Sequence, residues 1–209
     1  MNHSAQTPIR EDVSVEYTGT VHDAMNRKPT KAELAAAVQL TVPDLVAPGL
    51  RVLFCGINPG LYTAAIGHHF GRPGNRFWPA LHGAGFTPRL FKPWDEHELL
   101  PLGLGITNMV PRTTAAASEL APEEYVAGGA RLTALVTANV PRVVAFLGIG
   151  AYRAAFGRPK ATLGLQAERL AESHLWVLPS PSGLNANHQL PELVALMREL
   201  RDFHERPHI

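Results

Sequence analysis

The chain has 209 residues, 45% of them hydrophobic, which is enough to bury one sizeable core but would leave two domains small. With 18% charged residues and a net charge of +1, it lacks the global positive field of a strongly basic nucleic-acid binder, so any basic surface has to be local. The single cysteine, Cys55, excludes an internal disulfide and a four-cysteine metal or iron–sulfur site, and no stretch approaches the roughly 18 apolar residues of a membrane span.

Residues 1–28 are polar and without apolar periodicity, so they read as an arm outside a single domain over residues 29–209. The first residues lack the basic start and apolar core of a signal peptide, and the expectation is a cytoplasmic protein. Thr30 opens a short helix that runs to Leu40 before Pro43 and Pro48 break the pattern. Short apolar runs at 52–55, 105–110, 143–147 and 175–178 read as strands. Between and after them, 75–84, 95–100, 122–139, 150–156 and 189–204 read as helices, with Asn75 and Asp95 as caps and Pro122 in a first turn. Strands separated by helices predict a three-layer α/β/α fold around a central, mainly parallel sheet of four to five strands. Ligands of such sheets lie beyond the carboxyl ends of the strands, so the loops after Cys55, Val110, Leu147 and Leu178 should face the site.

The first of these loops is Gly56-Ile57-Asn58-Pro59-Gly60. Its glycines and proline fix a tight path that leaves Asn58 and several backbone N–H groups free for an anion and a water; an ordinary turn, with Asn58 bonded to its own backbone, fits the spacing equally well. It is not a dinucleotide fingerprint, because G-x-G-x-x-G is absent and no acidic residue follows at about 20 residues. Next comes a stretch from Gly67 to Trp78 that mixes aromatics, histidines, arginines and glycines, a combination suited to stacking on a base while contacting phosphate. Phe77 and Trp78 read as core, whereas Phe70, between Gly-rich flanks, is the better stacking candidate. Adjacent histidines seldom ligate one ion, so His68 and His69 read as hydrogen-bonding groups rather than a metal site.

Between Leu45 and Trp94 there is no Asp or Glu, while Arg51, Arg72, Arg76, Arg89 and Lys92 are all present, a local charge that fits phosphate contact. The loop after the last strand, Pro179 to Asn187, is rigid and built of small residues around one apolar side chain. Leu184 fits either a wedge between base pairs or a cap on the core, and shape alone leaves both open. Asp95, the first carboxylate after Asn58, fits either a helix cap with Glu98 three residues on, or a catalytic carboxylate should the loop at 86–94 fold back over the strand ends.

Four motifs taken together resemble the mismatch-specific uracil and thymine DNA glycosylase family of the uracil-DNA glycosylase superfamily: Gly-Ile-Asn-Pro-Gly-Leu at 56–61, the stretch from His68 to Trp78, Gly-Ile-Thr-Asn-Met-Val-Pro-Arg-Thr-Thr at 105–114, and Leu-Pro-Ser-Pro-Ser-Gly-Leu at 178–184. The resemblance implies a monomeric hydrolase that needs neither metal nor cofactor, binds double-stranded DNA carrying a mismatched uracil, flips the base out and starts base excision repair; in a bacterium it would work at the nucleoid. It assigns Asn58, which stands where the branch most selective for uracil carries an aspartate, to positioning the water. It assigns Phe70 to stacking, Ile57, Gly60, His69 and Asn108 to the base, Arg72, Arg76 and Ser182 to phosphate, and Gly183, Leu184 and Asn185 to the gap and the orphaned partner base. Asn185-Ala186 departs from the Ser-Arg of bacterial relatives, which implies a relaxed preference for the opposite base, while Gly-His-His-Phe and Thr-Asn-Met-Val are closer to the thymine-acting branch. A catalytically inactive module that binds mismatched or flipped bases is the alternative, and an intact Asn58 loop argues against it. A nucleotide-binding α/β enzyme is disfavoured by the missing phosphate loop.

Overall fold

Successive residues of β1 (Val52–Gly56) are buried on opposite sides of one sheet, Val52 and Phe54 in one apolar core and Leu53 and Cys55 in another, as a strand covered on both faces requires. The computed structural model describes residues 28–206, so the arm expected at the N-terminus lies, but for Lys28, outside the described residues. In chain order the elements are α1 (Lys31–Ala36), β1, α2 (Leu61–Ile66), α3 (Phe77–Gly83), β2 (Leu104–Asn108), α4 (Pro122–Asn139), β3 (Val143–Leu147), α5 (Ile149–Phe156), β4 (Gly164–Leu170), β5 (Ser173–Leu178) and α6 (Leu190–Glu205). Single 3-10 segments occupy Ala37–Gln39, Pro93–Leu102 and Ala117–Glu119.

The five strands form one sheet in the order β2-β1-β3-β5-β4, parallel except for the β4 edge. Helices α3 and α6 cover the first core through Phe77, Leu81, Leu193, Met197 and Leu200; α4 and α5 cover the second through Leu132, Val136 and Tyr152. This is the three-layer arrangement that alternating apolar runs and amphipathic stretches lead one to expect. From β1 the chain winds outward to β2 on one side and to β3 and β5 on the other, so the order reverses between β1 and β3. The loops at their carboxyl ends part there and open a crevice.

Several boundaries differ from the sequence expectation for local reasons. Strand β4 reads Gly-Leu-Gln-Ala-Glu-Arg-Leu; as a half-exposed edge it needs no apolar run and carries no such signal. Helix α2, one and a half turns ending at Gly67 in the left-handed region, is too short to show periodicity. The expected helix at 95–100 is the 3-10 segment Pro93–Leu102, with Pro101 inside it. At the start of α3 the Asn75 side chain accepts the Phe77 N–H at 2.9 Å, and Thr30 and Glu33 close a reciprocal cap on α1. Helix α4 carries Gly128 and Gly129, and a Cβ at Gly128 would stand 2.5 Å from the Met109 carbonyl oxygen. That close approach seats the loop leaving β2.

Candidate active site

The crevice is a cleft of about 180 Å³, with room for a planar ring. Gly56 to Gly60 after β1, Asn108 and Thr114 to Ala117 after β2, Leu147 at the end of β3 and Ser180 to Ser182 after β5 line it, together with His69, Phe70 and Arg72. The loops after β1, β2 and β5 therefore meet in one place, whereas β3 contributes its last residue, Leu147, and not the loop that follows it. Gly56 forms its floor: a Cβ there would lie 2.5 Å from Asn108 Oδ1 and 3.4 Å from Phe70 Cζ.

Asn58 is held from one side only. Its Nδ2 donates to the Arg112 carbonyl at 2.9 Å, to Thr114 Oγ1 at 2.7 Å and, more distantly, to the Pro59 carbonyl at 3.3 Å. Carbonyl oxygens only accept, so the NH₂ must face them, and Oδ1 of this cleft-lining residue accepts no hydrogen bond among the described residues. The Arg112 backbone is itself steadied, because its guanidinium grips the Glu124 carboxylate at 2.7 and 2.9 Å and lowers the Glu124 pKa to about 2.

Phe70 is a non-glycine residue with φ of 53°, a left-handed conformation that costs about 1–3 kcal/mol and persists where surrounding contacts impose it. Those contacts are visible. Its ring stacks on Phe77 at 4.1 Å, and the preceding residue is clamped: Glu96, 5% exposed, accepts the His69 N–H at 2.8 Å with one carboxylate oxygen and meets His68 Nδ1 at 2.8 Å with the other. The His69 ring, 1% exposed, places Nε2 2.9 Å from the Pro43 carbonyl, so Nε2 carries the hydrogen and Nδ1 is left to accept. Burial holds the His69 pKa below its ordinary value and keeps the ring neutral. Asn108 is 95% buried, and its amide makes no hydrogen bond among the described residues. The N–H groups of Ile57 and Phe70 also lack partners there, so the cleft presents both donors and acceptors to a polar ring.

Residues 43–201 match the family model described as the Uracil DNA glycosylase superfamily. The chain belongs to the uracil DNA glycosylase superfamily. Members of this superfamily are DNA glycosylases, hydrolases that act on DNA, and the matched span contains the whole cleft. Among the described residues no helix is long and apolar enough to cross a membrane.

Of the residues singled out from the sequence, the superfamily fold brings Ile57, Asn58, Gly60, His69, Phe70, Arg72, Asn108, Ser182 and Leu184 to the cleft. Leu184 is 72% exposed at the tip of its loop, so it caps no core. Gly183 packs backbone to backbone on the preceding glycine turn: a Cβ there would lie 2.6 Å from the Gly74 carbonyl oxygen. The Asn185 side chain is turned into its own loop, donating one amide hydrogen to the Ser180 carbonyl at 2.9 Å and accepting from the Asn187 N–H at 3.1 Å.

Three expectations are corrected. Asp95 does not line the cleft: its carboxylate accepts the Lys92 N–H at 2.8 Å and pairs with Arg89 at 2.9 Å, stitching the start of the 3-10 segment. It is the third residue of that segment rather than its first cap, and the carboxylate that reaches the site loop is its neighbour Glu96. Arg76 is no phosphate ligand either, because its guanidinium is consumed by the carbonyls of Ser182, Asn185 and His188. The basic run likewise disperses: Arg51 binds the Leu102 carbonyl beside the start of β2, Arg89 is ion-paired, and Lys92 is absent from the lining. Only Arg72 offers the cleft a guanidinium without a partner among the described residues. The sequence reading missed Thr114 and Glu96. Thr114 stood inside the quoted motif at 105–114, whereas nothing in the local spacing marked Glu96.

Proposed function

We propose that this chain is a monofunctional DNA glycosylase that hydrolyses the N-glycosidic bond of uracil in mismatched double-stranded DNA, with thymine and other modified pyrimidines as further candidates. The target base leaves the stack and enters the cleft, and the abasic product starts base excision repair. The observation that carries this reading is Asn58, a cleft-lining residue whose donor face is locked and whose Oδ1 accepts no hydrogen bond among the described residues.

The chemistry runs from that oxygen. Oδ1 accepts a hydrogen bond from a water and aims it at the sugar C1′. As the C1′–N1 bond breaks, its electron pair leaves with the pyrimidine, positive charge grows on the sugar, and the water oxygen closes on C1′ and sheds a proton to solvent. The N–H groups of Ile57 and Phe70 are fixed dipoles for the anionic base, held before the reaction begins and therefore strongest at the transition state. Phe70 supplies a face for stacking and the Asn108 amide a donor and an acceptor for the pyrimidine edge. An amide takes up a proton poorly at neutral pH, so the water attacks a cation already well developed, and turnover is slow. Extruding the base costs a few kcal/mol and costs least at a mismatched pair, which favours mispaired substrates.

Single-turnover incubation with a duplex carrying a U·G pair, in EDTA and followed by alkaline strand cleavage, tests the reading. The wild-type protein should release uracil, and Asn58→Ala should slow release by roughly 10² to 10⁴ while duplex affinity stays the same. Tight binding of the mismatch with no uracil released would instead favour an inactive base-binding module, and an unchanged rate in Asn58→Ala would remove that residue from the mechanism.

A further inference from the structure

We propose that Arg76 is a positioning residue for Leu184: it fixes the shape of the loop at 180–188, so that the leucine stands formed and exposed before DNA arrives. The proposal rests on the glycosylase reading above. Arg76 precedes α3, on the opposite side of the cleft from that loop in sequence, and reaches it over more than 100 residues of chain. Its Nη1 donates to the His188 carbonyl at 2.5 Å, its Nη2 to the carbonyls of Ser182 and Asn185, the latter at 2.7 Å, and its backbone N–H to the Pro181 carbonyl at 2.9 Å. Four carbonyls on both sides of Leu184 thus converge on one residue. A planar guanidinium with donors at fixed angles gathers diverging carbonyls in a way that a single-point donor does not.

The loop has little else to hold it. Its other hydrogen bonds are local: Asn185 N–H to the Ser182 carbonyl at 2.9 Å, Leu184 N–H to Ser182 Oγ at 3.3 Å and Asn185 Nδ2 to the Ser180 carbonyl at 2.9 Å. They curl the loop, and at its far end, beyond Leu184, Gln189 Nε2 donates to the Ala186 carbonyl at 3.1 Å and His188 Nδ1 lies 2.8 Å from Glu192 Oε1 at the start of α6. Before Leu184 a further tie is the Gly74–Gly183 backbone contact, which comes from the same turn that carries Arg76. Arg76 forms no ion pair among the described residues, and beside these carbonyls its Nη1 has the Gln189 side-chain oxygen only at a long 3.5 Å. A wedge must displace a base from the stack, and a side chain already ordered does so without first losing its own conformational freedom.

A residue that acts only through Leu184 should become dispensable once Leu184 is gone. The test is a double-mutant cycle in the full chain: wild type, Arg76→Gln, Leu184→Ala and the double variant, read as single-turnover uracil release from a U·G duplex, with limited proteolysis of the loop alongside. Arg76→Gln and Leu184→Ala should each slow release about tenfold, which corresponds to about 1.4 kcal/mol. The double variant should be no slower than the slower single within about twofold. Arg76→Gln should also expose the loop to protease. As a control, Arg72→Gln, at a free and exposed guanidinium, should multiply with Leu184→Ala. Should Arg76→Gln not fold, Arg76→Met keeps the apolar stem and carries the same cycle. Multiplying losses in the double variant, or a wild-type rate in Arg76→Gln, would overturn the proposal. If wild type is active and Leu184→Ala is unimpaired, the wedge and the proposal fall together; if wild type releases no uracil, it is the glycosylase reading that fails.

Discussion

Replacing Thr114 with Val isolates the orientation of Asn58 from its presence. Valine keeps the shape of threonine at a position only 2% exposed but removes the oxygen that accepts from Nδ2 at 2.7 Å. One amide hydrogen keeps the Arg112 carbonyl at 2.9 Å; the other is left with the Pro59 carbonyl at 3.3 Å, a longer and weaker contact. A typical intramolecular hydrogen bond contributes about 0.5–1.5 kcal/mol net, and if that loss falls on the orientation with Oδ1 over the cleft, the rate should drop about 2- to 13-fold. Single-turnover uracil release at saturating protein measures it, because substrate affinity should not change. Thr114→Ser, which restores the acceptor, should recover most of the rate. A wild-type rate in Thr114→Val, or an equal loss in both variants, would show that the hydroxyl does not orient Asn58.

Asp95→Ala should lower stability by about 0.5–2 kcal/mol, because the Lys92 N–H and Arg89 lose their partner, and should leave the single-turnover rate of folded protein intact; a tenfold loss of rate without unfolding would return Asp95 to the reaction. Gly56→Ala should cut uracil release tenfold or more and lower stability by about 1–3 kcal/mol, since the new methyl meets Asn108 Oδ1 at 2.5 Å on the cleft floor; an unimpaired rate in the folded variant would show that the pyrimidine does not reach that floor. Burial depresses both His69 and His204, so the unfolded chain takes up protons first as the pH falls. Stability should therefore decline below about pH 6.5 and recover above it, and a melting temperature that rises on acidification through that window would contradict the neutral, buried state of these rings.

The parts of this site that announce themselves in sequence do so through backbone chemistry. Gly56-Ile57-Asn58-Pro59-Gly60 after an apolar run reads as a strand-end loop, and its glycines and proline single out Asn58 as the polar side chain, though they leave open whether it bonds its own backbone or a ligand. That the loops after β1, β2 and β5 converge follows from the alternation of strand and helix alone. The carboxylates were misread because which of two neighbours faces inward depends on the pitch of the segment. Over residues 93–102 the chain is 3-10, with three residues per turn, and it turns Glu96 toward His68 and His69 while Asp95 stitches the outer edge. Arg76 and Arg89 look alike in a run of cations. Only the fold shows that one binds carbonyls more than 100 residues away and the other binds carboxylates six and nine residues away. Charge counted along a chain measures composition, whereas the field at a site depends on which partners have already neutralised each group.

The one-sided grip on Asn58 also constrains how this cleft can change over evolutionary time. A carboxylate would be a better base for the water, and a single exchange, Asn58→Asp, would introduce one. In the present surroundings, however, it would set a second anionic oxygen against the Arg112 and Pro59 carbonyls, where Nδ2 now donates. The gain in basicity would be opposed by lone-pair repulsion and by the loss of the two hydrogen bonds to carbonyls, since of the three partners only the Thr114 hydroxyl can turn and donate instead, so the exchange is open only after the segment from Arg112 to Thr114 has been rebuilt to offer N–H donors. The amide and its carbonyl cradle therefore form an epistatic unit: each is tolerable because of the other, and the path between an amide-directed and a carboxylate-directed water runs through the loop after β2 rather than through position 58 alone.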